Sequence, residues 1–206
     1  MKVSAQGREN RNARGLATAR AIEREAVHLA ALHGVDGITV DQICAAVGVS
    51  QRTFFHHFDT KEDALLGLDL PRLDETKARA YLSDPEVGIL TGAVGLVELP
   101  AEHLDAPQTM LKRLAVLSSS PALAQRQMAR MLPIAIEVEK IVLLKLSNVA
   151  PDIDDDTAAR AATTITRLAA SMMIPAPAQL AAGTIPAASS AADSLRELEW
   201  IWARLL

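Results

Sequence analysis

Aromatic side chains are scarce in this chain: three phenylalanines, two tryptophans and one tyrosine among 206 residues. Half of the residues are hydrophobic, so the core must be built from Ala, Leu, Ile, Val and Met. That composition favours helices over strands, and no stretch reads as a convincing strand. The single cysteine, Cys44, excludes an internal disulfide framework and any multi-cysteine metal site. No run of eighteen or more consecutive apolar residues is present, so no membrane span is expected. A basic start followed by an apolar run and a small-residue cleavage site is missing too, and the expected location is the cytoplasm. Catalytic patterns are equally thin. There is no nucleophile with a base, no paired-carboxylate site and no glycine-rich phosphate cradle. The acidic run Asp152 to Asp156 lacks the spacing and closing glutamate of a calcium loop and suits a helix start better. Ser118 to Ser120 has no histidine nearby and reads as a turn. No enzyme activity, cofactor or metal is expected.

The informative stretch is Thr39 to Lys61, TVDQICAAVGVSQRTFFHHFDTK. Thr39 followed three residues later by Gln42 is a capping-box start. Val40, Ile43, Cys44 and Val47 recur at helical spacing and give a short helix one inner face. Gly48 ends it through a left-handed turn that glycine reaches without a Cβ clash. Ser50 caps a second helix with Gln51, Arg52, Thr53, His56 and His57 on its outer positions. All three phenylalanines, Phe54, Phe55 and Phe58, fall within five residues, as if one aromatic cluster anchored a small domain. Helix, glycine turn and a donor-rich helix form a helix-turn-helix, whose second helix enters a DNA major groove.

Arg52 is the most informative residue, because a guanidinium can donate two parallel bonds to guanine O6 and N7. Gln51 and Thr53 can read a base edge or touch phosphate. His56 and His57 are adjacent, so on a helix they point about a hundred degrees apart and make a poor metal pair; they read as donors to phosphate. Thr39, Ser50 and Lys61 stand at helix starts, where backbone N–H groups attract phosphate oxygens. For Thr39 the alternative is a pure cap and for Lys61 a free surface charge. Cys44 falls on an inner face as core filler.

On these residues the chain resembles the tetracycline-repressor (TetR) family of bacterial transcription regulators. The likeness lies in the threonine-capped helix, AAVGVSQRTFFHHF, a short acidic link and Lys61-Glu62-Asp63, and covers roughly Leu16 to Leu66. His57 stands where tyrosine or histidine is usual, Phe55 where tyrosine is frequent, and Ala30 where a bulky aromatic is common. The change at Phe55 matters most, since a phenol can bond a phosphate and a phenyl ring cannot. The resemblance implies a homodimer that binds double-stranded operator DNA and responds to an effector held in a larger helical domain. It also implies that helices Thr157 to Ile174 and Ala191 to Leu206 pair with those of a second copy, with Trp200 and Trp202 as anchors.

Around this centre, residues 1–15 read as a mobile basic arm, either a plain terminus or a segment whose Arg8, Arg11 and Arg14 follow DNA. Residues 16–60 make the three-helix DNA-binding domain and 61–206 the helical effector-binding and dimerisation domain. The net charge of −4 divides unevenly: residues 1–57 carry seven basic against five acidic side chains, +2, leaving −6 for the rest. The modest positive field therefore sits at the end that would face phosphate. Ala64, Leu65 and Leu68 give the helix from Lys61 to Leu70 an inner face, and Pro71 marks either a hinge or a break at its end. Beyond it, proline and glycine divide Pro85 to Leu99, Pro107 to Leu117 and Pro121 to Leu146, the last interrupted by Pro133. Pro175 to Ser190 reads as a flexible loop. Met110, Leu114, Leu117, Met128, Met131, Leu132, Met172 and Met173 can surround a cavity for a small apolar effector, with His103, Glu137 and Arg167 as polar fixing groups.

The expected protein is all-α: an N-terminal helix-turn-helix unit fused to a larger ligand-binding and dimerisation domain, acting as a repressor released from a pseudo-palindromic operator. A helical enzyme or carrier with the N-terminal unit as a structural module is one alternative. A regulator responding to a protein partner is the other.

Overall fold

A computed structural model describes residues 5–98, 100 and 107–172. Among them are nine helices: α1 (Ala5–His33), α2 (Val40–Val47), α3 (Gln51–His57), α4 (Lys61–Leu66), α5 (Glu75–Ser83), α6 (Ile89–Gly95), α7 (Pro107–Ser119), α8 (Pro121–Val149) and α9 (Asp155–Met172). Two short strands, β1 (Arg72–Leu73) and β2 (Val97–Glu98), pair antiparallel with Arg72 opposite Glu98. Two residues are too few for a period-2 pattern to register in the sequence. The all-α architecture stands.

The chain divides into two compact units. Unit one is Met1–Asp69 with Ala106–Met128, and unit two is Leu70–Asp105 with Ala129–Leu206. In unit one, Ile22, Ala26 and Val27 of α1 meet Ile43 and Cys44 of α2, Phe54 of α3, Leu65 of α4, Val116 of α7 and Leu123 of α8. The expected domain boundary at residue 60 thus separates elements that share one core. In unit two, Tyr81, Ala93, Leu96, Val138, Val142, Ala162 and Ala169 form a second core. Lys145 is buried there, 1% exposed. Its Nζ donates to the Asp84 carbonyl at 2.6 Å, at the end of α5, and lies 5.3 Å from the Tyr81 ring centroid. A helix C-terminus and a π face both favour a cation. Burial pushes the Tyr81 phenol up to about 12, and its hydroxyl donates to the Ile89 carbonyl at 2.9 Å.

Several boundaries differ from expectation. Residues 5–15 belong to α1 instead of an arm: Ala, Gln, Glu and Arg all favour helix, and no proline interrupts them. Helix α4 stops at Leu66, short of Leu70, because Gly67 takes φ 83° and ψ 164°, a region that only glycine reaches comfortably. Pro71 lies beyond that end, so glycine terminates the helix. Helix α8 continues through Pro133. Asp154 Oδ1 accepts the Thr157 N–H at 2.9 Å before the first turns of α9, so the acidic run does serve a helix start. His103, Met173, the loop Pro175 to Ser190, the helix Ala191 to Leu206 and both tryptophans lie outside the described residues.

Candidate nucleic-acid interface

Local chemistry builds the α2–turn–α3 element almost alone. The Thr39 N–H donates to Gln42 Oε1 at 2.8 Å and the Gln42 N–H to Thr39 Oγ1 at 3.3 Å, completing the capping box. Gly48 sits at φ 76°, ψ 35°, and its N–H reaches the Cys44 carbonyl at 2.9 Å. Ser50 Oγ then accepts the Thr53 N–H at 3.1 Å. Ser50→Ala is expected to cost about 1 kcal/mol of stability, the usual worth of such a cap, measurable as a lower urea midpoint with an unchanged slope.

Side chains on α3 sort into two sets. Phe54 is fully buried and Phe58 nearly so, whereas Phe55 is 50% exposed, its ring edge-on to Phe54 with centroids 5.4 Å apart. Two phenyl rings, not three, therefore anchor the domain. Phe55 instead shares the outer surface with Gln51, Arg52 and His56, while Thr53 and His57 are half-buried. Sequence reasoning placed Phe55 inside. The signal that could have moved it was the adjacency of Phe54 and Phe55, which a helix must turn about a hundred degrees apart.

Arg52 is exposed and has no hydrogen bond or ion pair among the described residues. The Gln51 side-chain amide donates to Asp41 Oδ1 of α2, so one end of Gln51 is already engaged. The His56 and His57 rings meet edge to face at 5.0 Å. Burial first, and His56 second, lower the pKa of His57, which keeps the neutral imidazole dominant at pH 7. Lys61 is placed differently from a free surface charge. Its Nζ donates to the Val35 carbonyl at 2.8 Å and the Ile38 carbonyl at 2.9 Å, gripping the loop between α1 and α2. Thr39 and Ser50 act as caps and remain exposed. Burial, with Asp41 second, pushes the Cys44 thiol above its usual value, as fits core filler better than a reactive group.

The effector candidates are not gathered in the same way. Met110, Leu114, Leu117 and Met128 belong to unit one; Met131, Leu132 and Met172 belong to unit two. Leu117 packs on the core that holds Phe54. Met128 is 68% and Leu132 57% exposed; the side chain of Met172 lies outside the description. Glu137 and Arg167 are both exposed. Helical periodicity identified apolar positions here, but it carries no information on which of them share a cavity.

Among the described residues no group of three or more His, Cys, Asp or Glu is placed to hold a metal ion, and no helix is long and apolar enough to cross a membrane. A capped short helix lying beyond a glycine turn, with a partnerless arginine and other donors facing outward, is suited to lie against a duplex and read base edges. Residues 22–67 match the family model described as bacterial regulatory proteins, tetR family. Comparison with curated proteins finds no match.

Proposed function

We propose that this DNA-binding transcription regulator, which belongs to the tetR family through its N-terminal domain, is a homodimeric cytoplasmic repressor released from its operator by a small apolar effector. The observation that carries the reading is Arg52, exposed and partnerless on a helix fixed at both ends by local caps. Two such helices in a dimer, about 34–36 Å apart, read successive major grooves, which makes the operator a pseudo-palindrome. Thr39, Ser50, Gln51, Thr53, His56 and His57 supply the surrounding phosphate and base contacts. The effector binds a form of the dimer in which the two helices are mis-spaced, and so draws the population away from DNA.

Selection of fragments from random duplex DNA by the purified protein tests this. A recovered pseudo-palindrome with half-sites one helical turn apart, bound less tightly as salt rises, supports the reading. Recovery of no preferred sequence at low salt would remove it.

Phe55 adds a contact to the sequence-derived set. An apolar ring in the major groove suits a thymine methyl. Phe55→Ala is expected to lower operator affinity by roughly 1 kcal/mol, about fivefold, with the loss confined to operators carrying thymine at one step. Competition between thymine- and uracil-containing operators reads this directly, since uracil lacks the methyl group.

A further inference from the structure

We propose that α7, which the chain supplies only after its excursion through residues 70–105, is an integral part of the DNA-binding unit, and that the buried pair Glu23–Arg113 makes it so. Arg113 is then a positioning residue for operator recognition, a consequence that rests on the functional reading above.

Glu23 lies on α1 and is only 4% exposed; Arg113 lies on α7 and is 8% exposed. The Arg113 Nη2 donates to Glu23 Oε2 at 3.2 Å across 90 residues of sequence. Glu23 Oε1 accepts the Leu68 N–H at 2.7 Å, just beyond the end of α4. Arg20 Nη1 stands 3.9 Å from the same carboxylate, and Arg20 also pairs with Asp69. A buried carboxylate is tolerated only when its charge and lone pairs are answered. Here the answers come from three segments at once: α1, the 67–69 link and α7.

Gly67 leaves room for this arrangement, since a Cβ there would stand 2.8 Å from Arg113 Nη1. Around the pair, Val116 of α7 and Leu123 of α8 enter the core that supports α3. Lys112 Nζ lies 3.2 Å from His28 Nδ1, and Arg126 Nη2 donates to Asp63 Oδ1 at 2.9 Å. The helix-turn-helix is thus supported by a discontinuous unit, which the chain leaves after residue 69, re-enters at 106 and leaves again after 128. A displacement of α7 must either break the buried pair or carry α1 with it, and α1 packs against α2, α3 and α4. The family match ends at residue 67 and contains no part of α7.

Native-state hydrogen exchange on the full-length protein tests the first half without DNA. Core amides of α1–α3 and those of Leu111 to Leu117 are expected to open as one cooperative unit. Glu23→Gln keeps an acceptor for the Leu68 N–H but removes the charge; it is expected to lower protection of both groups by the same factor, about tenfold or more, leaving α9 unchanged. Opening of α7 independently of α1–α3, or a loss confined to one of them, would overturn the proposal.

The positioning role is read from the double variant Glu23→Gln/Arg113→Met, in which neither charge is left buried and unpaired. Its thermal midpoint is expected to return toward the wild type. Its operator affinity is expected to remain about tenfold low, with an unchanged salt slope because no phosphate contact is lost. Wild-type affinity in that variant would make the pair merely structural. A wild type that selects no DNA would instead sink the functional reading, while the exchange result stands on its own.

Discussion

Arg52→Ala is expected to lower affinity for the selected operator by about 10- to 100-fold per half-site while leaving the fold and the dimer unchanged. The size follows from what one bidentate guanidinium–guanine contact is worth, about 1–3 kcal/mol of discrimination, at roughly 1.4 kcal/mol per tenfold. No structural loss accompanies it, since Arg52 is exposed and makes no hydrogen bond or ion pair among the described residues. Binding to unrelated duplex should change little, because a base contact contributes nothing there. Anisotropy titrations with operator and scrambled duplex over a salt series separate the possibilities. Loss on the operator alone, at constant salt slope, identifies a base contact. Equal loss on both duplexes, with the slope falling by about one, identifies a phosphate contact and removes Arg52 from base reading.

Arg52 was legible because everything that presents it is local. A threonine and a glutamine three residues apart, a glycine turn and a capping serine act within one or two helical turns, the range over which sequence spacing maps onto geometry. Much of the rest depends on contacts between distant segments. Glu23 and Arg113 are 90 residues apart, and each looks in sequence like an ordinary helix charge. Lys145, 61 residues from the carbonyl it meets, is equally silent. The early start of α1 escaped for another reason: residues 5–15 have helix-forming composition but no apolar stripe, and the stripe is what pattern reading tracks. Phe55 was misplaced because hydrophobicity alone assigned it to the core, although Phe54 beside it already occupies the inward direction.

Lys61 shows how such a long-range contact changes a predicted role, and Lys61→Met is the decisive variant. Its position favours phosphate when read locally: a cation at a helix start, close in sequence to the helix that faces DNA. Yet a lysine at the N-terminus of a helix faces the positive end of the helix dipole, so some other interaction must hold it there. The structure supplies one. The ammonium reaches back 26 and 23 residues to the carbonyls of Val35 and Ile38, tying α4 to the loop that precedes α2. Methionine keeps most of the apolar stem and donates nothing. Losing two charge-assisted bonds, each worth roughly 1.5–3 kcal/mol, is expected to cost about 2–4 kcal/mol of stability once relaxation is allowed for. That loss appears as a lower urea midpoint with an unchanged slope. Operator affinity, measured where the variant is fully folded, should fall only as far as the α1–α2 loop loosens, and the dependence on salt should not change. A phosphate-bound Lys61 would give the opposite pattern, with stability intact and the salt slope lower by about one. The two outcomes differ in both measurements, so a single variant decides whether Lys61 holds the domain together or holds the DNA.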